Sequence, residues 1–265
     1  MRLDEIAPGQ TKPMYGTSVP AKFDAMWHRL IMPNCTDILD VYKDTNQYLY
    51  RGMKLNPDFF RAMSRADREP RDSGKYMSDM FNKLLAANGM TALRNNSIFA
   101  TSDMKHSEAF GQPYIIFPIN GFDFTYTNQS DIVLDSWAKL IPDEIMFYLN
   151  RVFRAYMRRE SPDTYLGTYD TWLNWAQFHD PYDPLKDLNN AIERMKKMAP
   201  ERPVVRDLSI ETLINPQGFA EKFEPRDTNM GDALKRGLEV YIHGQYYAFK
   251  HSIYQDYIRL KMRDL

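Results

Sequence analysis

The sequence predicts an α+β protein: a mixed stretch of strands and helices to about residue 140, then a mainly helical region over 141–265. Three observations carry that expectation. Apolar residues between 97 and 135 alternate in twos or form short runs flanked by turn residues, the pattern of strands. On either side they recur at helical spacing. The chain has 265 residues, 43% of them hydrophobic, enough to bury a core without disulfide staples.

The elements follow in order. Residues 1–20 carry Pro8, Gly9, Pro13, Gly16 and Pro20 and read as an extended arm. Residues 21–33 place Phe23, Met26, Trp27, Leu30 and Ile31 on one helical face. Thr36 is an N-cap candidate for a short helix through Val41. Gln47 to Met53 reads as a strand ending at a glycine, and Pro57 suits the first position of a helix. Tyr76 to Asn88 is a helix stopped by Gly89. Strands are expected at 97–101, 113–118, 122–126 and 132–134, with a short helix from Met104 to Phe110, capped by Ser102-Asp103. Beyond 140, helices are expected at 143–159 and 185–198, with loops at 161–184 and 203–227. From Gly231 to Met262 the apolar residues keep a helical period and read as one long helix or two. The resulting domain reading is an arm over 1–20, an α/β domain over 21–140 and a helical domain over 141–265.

Composition excludes several classes. Thirty-four basic residues against 35 acidic ones give a formal charge of −1, so the chain as a whole offers no pull toward nucleic acid or an acidic membrane surface. No apolar run approaches the roughly 20 residues of a membrane span, and the N-terminus has no secretory apolar segment. The single cysteine, Cys35, excludes an intrachain disulfide and a cysteine-based metal cluster; it reads as a structural thiol, with a nucleophile as the alternative. Sixteen methionines and an aromatic content of 14% point weakly to packing against other chains.

Familiar catalytic motifs are missing. The five histidines have no zinc-like spacing, and HExxH, GxSxG, GxGxxG and the P-loop do not occur. Asp180, Asp183 and Asp187 form an acidic cluster whose prolines suit turns and caps better than a calcium loop. No metal is therefore expected.

One ordered constellation remains. Tyr50-Arg51-Gly52 ends a strand. Ser97-Ile98-Phe99-Ala100-Thr101-Ser102 is a strand ending in hydroxyls. Phe110 and Tyr114 follow, and Gln129-Ser130-Asp131 runs into an apolar stretch. This order, over about residues 45–135, resembles the mono-ADP-ribosyltransferase superfamily, in the branch marked by Arg, then Ser-Thr-Ser, then Gln-x-Glu or Glu-x-Glu. The resemblance implies a split β-sheet, with NAD as substrate. It implies Arg51 on the NAD phosphates, Thr101 and Ser102 at the nicotinamide pocket, and Asp131 with Gln129 at the sugar cation. Phe110, Tyr114 or Tyr126 would stack on the nicotinamide ring.

The chemistry is coherent. A guanidinium offers a planar fork to a pyrophosphate, and a carboxylate stabilises positive charge developing on the ribose. Two positions depart from the family pattern: Ala100 replaces the first serine, and Asp131 is one methylene shorter than glutamate. The implied function is transfer of ADP-ribose from NAD to a protein side chain; the alternative is a non-catalytic virion assembly protein that reuses the fold. The combination also resembles transferase-like chains of contractile-tailed phages. That implies protein partners, an oligomer or virion assembly, and a place in the host cytoplasm or the particle, with no membrane and no nucleic-acid partner.

Overall fold

In a computed structural model of the chain, the described residues are 19–67, 75–128, 216–265 and single positions between 189 and 209. They divide into two compact units. The first takes its described residues from 19–67, 90–128 and 225–265; the second takes 75–89 and the described positions of 189–224.

The first unit opens with helix α1, Val19–Met26, which continues through a π-helical turn, Trp27–Ile31, into Met32–Asn34. Helix α2 spans Thr36–Thr45, with Cys35 at the N-cap position, and ends on Asn46 in the left-handed conformation, φ 52°. Strand β1 is Tyr50–Met53 and β2 is Phe59–Met63. Strand β3 is Ile98–Thr101, followed by helix α4, Met104–Glu108, and strands β4, Gln112–Pro118, and β5, Asp123–Tyr126. The chain returns with helix α6, Met230–Lys235, strands β6, Glu239–His243, and β7, Gln245–Lys250, and helix α7, His251–Arg263. In the second unit, helices α3, Lys75–Ala87, and α5, Pro216–Phe223, meet through the buried rings of Phe81, Phe219 and Phe223.

All seven strands share one antiparallel sheet in the order β2-β7-β4-β1-β3-β6-β5. Its topology forces a sharp bend. The chain passes from β6 to β7 through Gly244 alone, yet three strands lie between them. Crossing a flat sheet would take four strand spacings, about 19 Å, whereas two residues reach only about 7 Å. The sheet therefore folds into two blades, β2-β7-β4-β1 and β3-β6-β5. The hinge lies where β1 meets β3 through a single pair, Tyr50 opposite Thr101. Gly244 sits at φ 129°, and a side chain there would press on the Phe122 backbone at 3.3 Å.

Helices α1, α2 and α7 cover the first blade with aromatic contacts. Phe117 of β4 meets Trp27 and Tyr42, and Phe249 of β7 meets Phe23 and Tyr254, all with ring centroids 5.3–6.0 Å apart. Tyr42, fully buried, donates its hydroxyl to the Ile116 carbonyl and accepts the Leu49 N–H at 3.2 Å, which ties α2 to the sheet.

Three expectations are corrected. The helix expected to open at Pro57 is replaced by β2: Tyr114 captures the Leu55 and Pro57 carbonyls, and Phe60 and Ala62 alternate into the core. The loop expected over 203–227 contains α5. The helix expected over 231–262 is α6, β6, β7 and α7, so the last stretch of the region read as mainly helical supplies two strands of the sheet. The arm through residue 18, the strand expected at 132–134, the helix at 143–159 and the loop at 161–184 with its acidic cluster lie outside the described residues.

Candidate functional site

Arg51 and Thr101 flank the hinge between the blades, on β1 and β3. Arg51 leaves β1 directly opposite Tyr114 of β4. Tyr114 is fully buried, and its hydroxyl serves the carbonyls of Leu55 at 3.0 Å and Pro57 at 2.7 Å. Burial, with the Asp58 charge adding, holds that phenol above the usual tyrosine range. Tyr114 is thus a wall and a loop anchor, with its hydroxyl already engaged.

Arg51 differs from its neighbour. Its Nε and Nη1 are buried and have no hydrogen-bond partner among the described residues. Buried guanidinium nitrogens without partners are costly, because water has been removed and nothing replaces it. An anion with two or more oxygens would satisfy them.

The hydroxyl strand is committed elsewhere. Thr101 donates to the Gly237 carbonyl at 3.1 Å and accepts the Asp103 N–H at 3.1 Å. Ser102 donates to the Leu234 carbonyl at 2.5 Å. These bonds fasten the end of β3 to α6 and the turn after it. The expected cap is present in detail, as Asp103 accepts the His106 N–H at 3.2 Å and starts α4. Helix α4 then rests on β1 at Gly52, where a Cβ would come within 1.9 Å of the Ser107 carbonyl oxygen. Beyond α4, Phe110 is 52% exposed and lies 5.5 Å from the His106 ring. Tyr126 is buried, with its hydroxyl on the Asn229 carbonyl at 3.4 Å.

Side chains alternate across a strand, so the pairing fixes which side each residue takes. Thr101 shares the side of Tyr50, whereas Arg51 starts from the opposite side together with Tyr114. Ala100 of β3 and Val240 of β6 form a cross-strand pair out of phase with Thr101. Opposite Thr101 itself stands Glu239, at the start of β6. Sequence reasoning missed this carboxylate by placing it inside a helix; the signal was Glu239 leading the β-rich run Val240-Tyr241-Ile242. Gln129 and Asp131 lie outside the described residues.

Two other polar groups have their chemistry fixed by the fold. Cys35 is buried, and burial, aided by the Asp37 charge, pushes its thiol up to about 12, which removes it as a nucleophile near neutral pH. Ser64 lies 3.1 Å from Nδ1 of His243, but that nitrogen also faces the Asn96 carbonyl at 2.8 Å. A carbonyl only accepts, so Nδ1 carries the proton and cannot take one from Ser64. No group of residues suited to a metal occurs among the described residues, and none of their helices is long and apolar enough to cross a membrane.

Comparison with known proteins adds no relative: no family model, no curated protein and no solved structure matches the chain.

Proposed function

We propose that this chain is an ADP-ribosyltransferase-like protein that binds NAD, with Arg51 holding the pyrophosphate. The observation that carries the reading is the pair of buried nitrogens of Arg51 that have no partner among the described residues and would be satisfied by an anionic ligand. Support comes also from the order of strands. The arginine strand β1, the hydroxyl strand β3 and the glutamate strand β6 are neighbours, in a sheet that bends into two blades beside them.

Transfer of ADP-ribose to a protein side chain needs a carboxylate facing the developing sugar cation. Asp131, with Gln129 beside it, is the candidate for that role; Glu239, paired with Thr101, starts from the side of the sheet opposite Arg51 and is the comparison. Phe110 is the exposed ring free to cover a nicotinamide, whereas Tyr114 and Tyr126 are inside.

A second reading, a non-catalytic protein of a virion that uses the fold as a scaffold, is favoured by one observation. Thr101 and Ser102 spend their hydroxyls on backbone carbonyls of the fold itself. Equilibrium dialysis with labelled NAD, followed by a transfer assay on the wild type, Asp131→Ala and Glu239→Gln, separates the two. Binding with transfer lost in one variant supports the enzyme and names its carboxylate. Binding without transfer supports the scaffold with a ligand. Absence of binding overturns the NAD reading.

A further inference from the structure

A second site lies away from Arg51, where the end of α2 and the approach to β1 face the last turns of α7. There a cavity of about 460 Å³ opens, within the size range of small-molecule sites. Its walls include Tyr48, Tyr50 and Met262, and its cations are Lys43, Arg259 and Arg263; no acidic side chain lines it. In a chain whose formal charge is −1, that is a local concentration of positive charge.

Two further features bear on what this cavity can hold. Arg259 and Arg263 make no ion pair or hydrogen bond among the described residues, although they sit four residues apart and repel one another. Tyr48 and Tyr50 line the cavity at 7% and 9% exposure, and neither hydroxyl is among the buried unpartnered atoms of the described residues, so both stay open to solvent there. Burial raises both phenols, and the Arg259 charge, joined by that of Arg263 at Tyr48, pulls them part of the way back. Lys43 is held at the rim by a bond to the Leu265 carbonyl.

We propose that this cavity binds a small phosphate monoester carrying an aromatic ring, a ligand of the nucleotide class. The two guanidinia take the phosphate oxygens as planar forks, the Tyr48 and Tyr50 hydroxyls donate to the same group, and the tyrosine and Met262 walls receive the ring. The site does not depend on Arg51, which leaves β1 on the side opposite Tyr50.

The test is calorimetric titration of AMP into the wild type, R259Q/R263Q, Tyr48→Phe and Arg51→Ala, with inorganic phosphate and adenosine as control ligands. Arg259 and Arg263 are exposed, so the double variant keeps its fold, and an unchanged melting temperature verifies that. Expected are AMP binding in the wild type and in Arg51→Ala, a loss of about tenfold or more in R259Q/R263Q, a smaller loss in Tyr48→Phe, and weaker binding of both control ligands. The proposal is overturned by no heat at millimolar AMP, by undiminished binding in R259Q/R263Q, by loss in Arg51→Ala instead, or by inorganic phosphate binding as tightly as AMP. Because Arg51→Ala and R259Q/R263Q report separately, failure here leaves the Arg51 reading intact, and the reverse also holds.

Discussion

Arg51 and Tyr114 stand directly opposite one another on β1 and β4, and their polar groups meet opposite fates. The tyrosine hydroxyl is engaged by two carbonyls of the β1–β2 connection, while two nitrogens of the arginine are buried with no partner among the described residues. One residue of the pair holds the fold together and the other strains it. Such strain is tolerated where a ligand relieves it.

The first prediction follows from that strain. Arg51→Met keeps the apolar stem and removes the unpartnered nitrogens. The ligand-free variant should be more stable than the wild type by about 1 kcal/mol, read from urea unfolding. A loss of stability instead would mean that Arg51 is a structural residue.

Gly244 joins the two blades at φ 129°, against the Phe122 backbone. Gly244→Val adds a β-branched side chain in a conformation that such residues avoid. It should cost about 2–4 kcal/mol and lower the melting temperature accordingly. The same substitution at Gly89, at φ 83° with nothing within 4 Å, carries only the conformational part of that cost and should be milder.

Tyr42→Phe removes a buried hydroxyl that serves both the Ile116 carbonyl and the Leu49 N–H. Chemical denaturation should show a loss of about 1–3 kcal/mol with an unchanged dependence on denaturant. A neutral result would mean that the two backbone groups find other partners.

The chain's legibility in its sequence was uneven, for physical reasons. Segments with a clear period or flanking turn residues were readable: α1, α2, α3, β3, β4 and β5 lie within a few residues of expectation, and the cap at Asp103 is present in atomic detail. Residues 239–250 were not readable: like β4 they are buried on both sides and lose the two-residue alternation, and unlike β4 they lie in a longer run of helical period. Val240, Tyr241 and Ile242, and then Tyr246 to Phe249, are all buried in succession. Their apolar positions also fit a helical period, and only Gly244 and the β-branched and aromatic content argued otherwise. Phe59–Met63 failed for a different reason: the Tyr114 hydroxyl, 57 positions away from Pro57, decides the path of that loop. Arg51 was singled out by its place in the ordered constellation, on the strand the sequence predicts. Glu239 was lost with the strand that carries it.

Cys35 supplies the pH prediction. Its thiol ordinarily titrates near 9.0 and is pushed up to about 12 by burial and the Asp37 charge. The folded chain therefore holds this proton more tightly than the unfolded chain. The contribution is fully present below pH 9.0, and stability falls as pH rises from there toward 12. Buried tyrosines act in the same direction, so the part due to Cys35 is the difference from Cys35→Ala, whose alkaline decline should be shallower. Native protein should also resist thiol alkylation at pH 8 and react once unfolded.

The central claim is that Arg51 binds an anionic ligand, NAD in the proposed reading. Isothermal titration of NAD into the wild type, Arg51→Ala and R259Q/R263Q tests it most directly. The account predicts binding in the wild type that survives in R259Q/R263Q and is lost in Arg51→Ala. No heat at millimolar NAD, or equal affinity in Arg51→Ala, would contradict it and leave the assembly scaffold as the surviving reading.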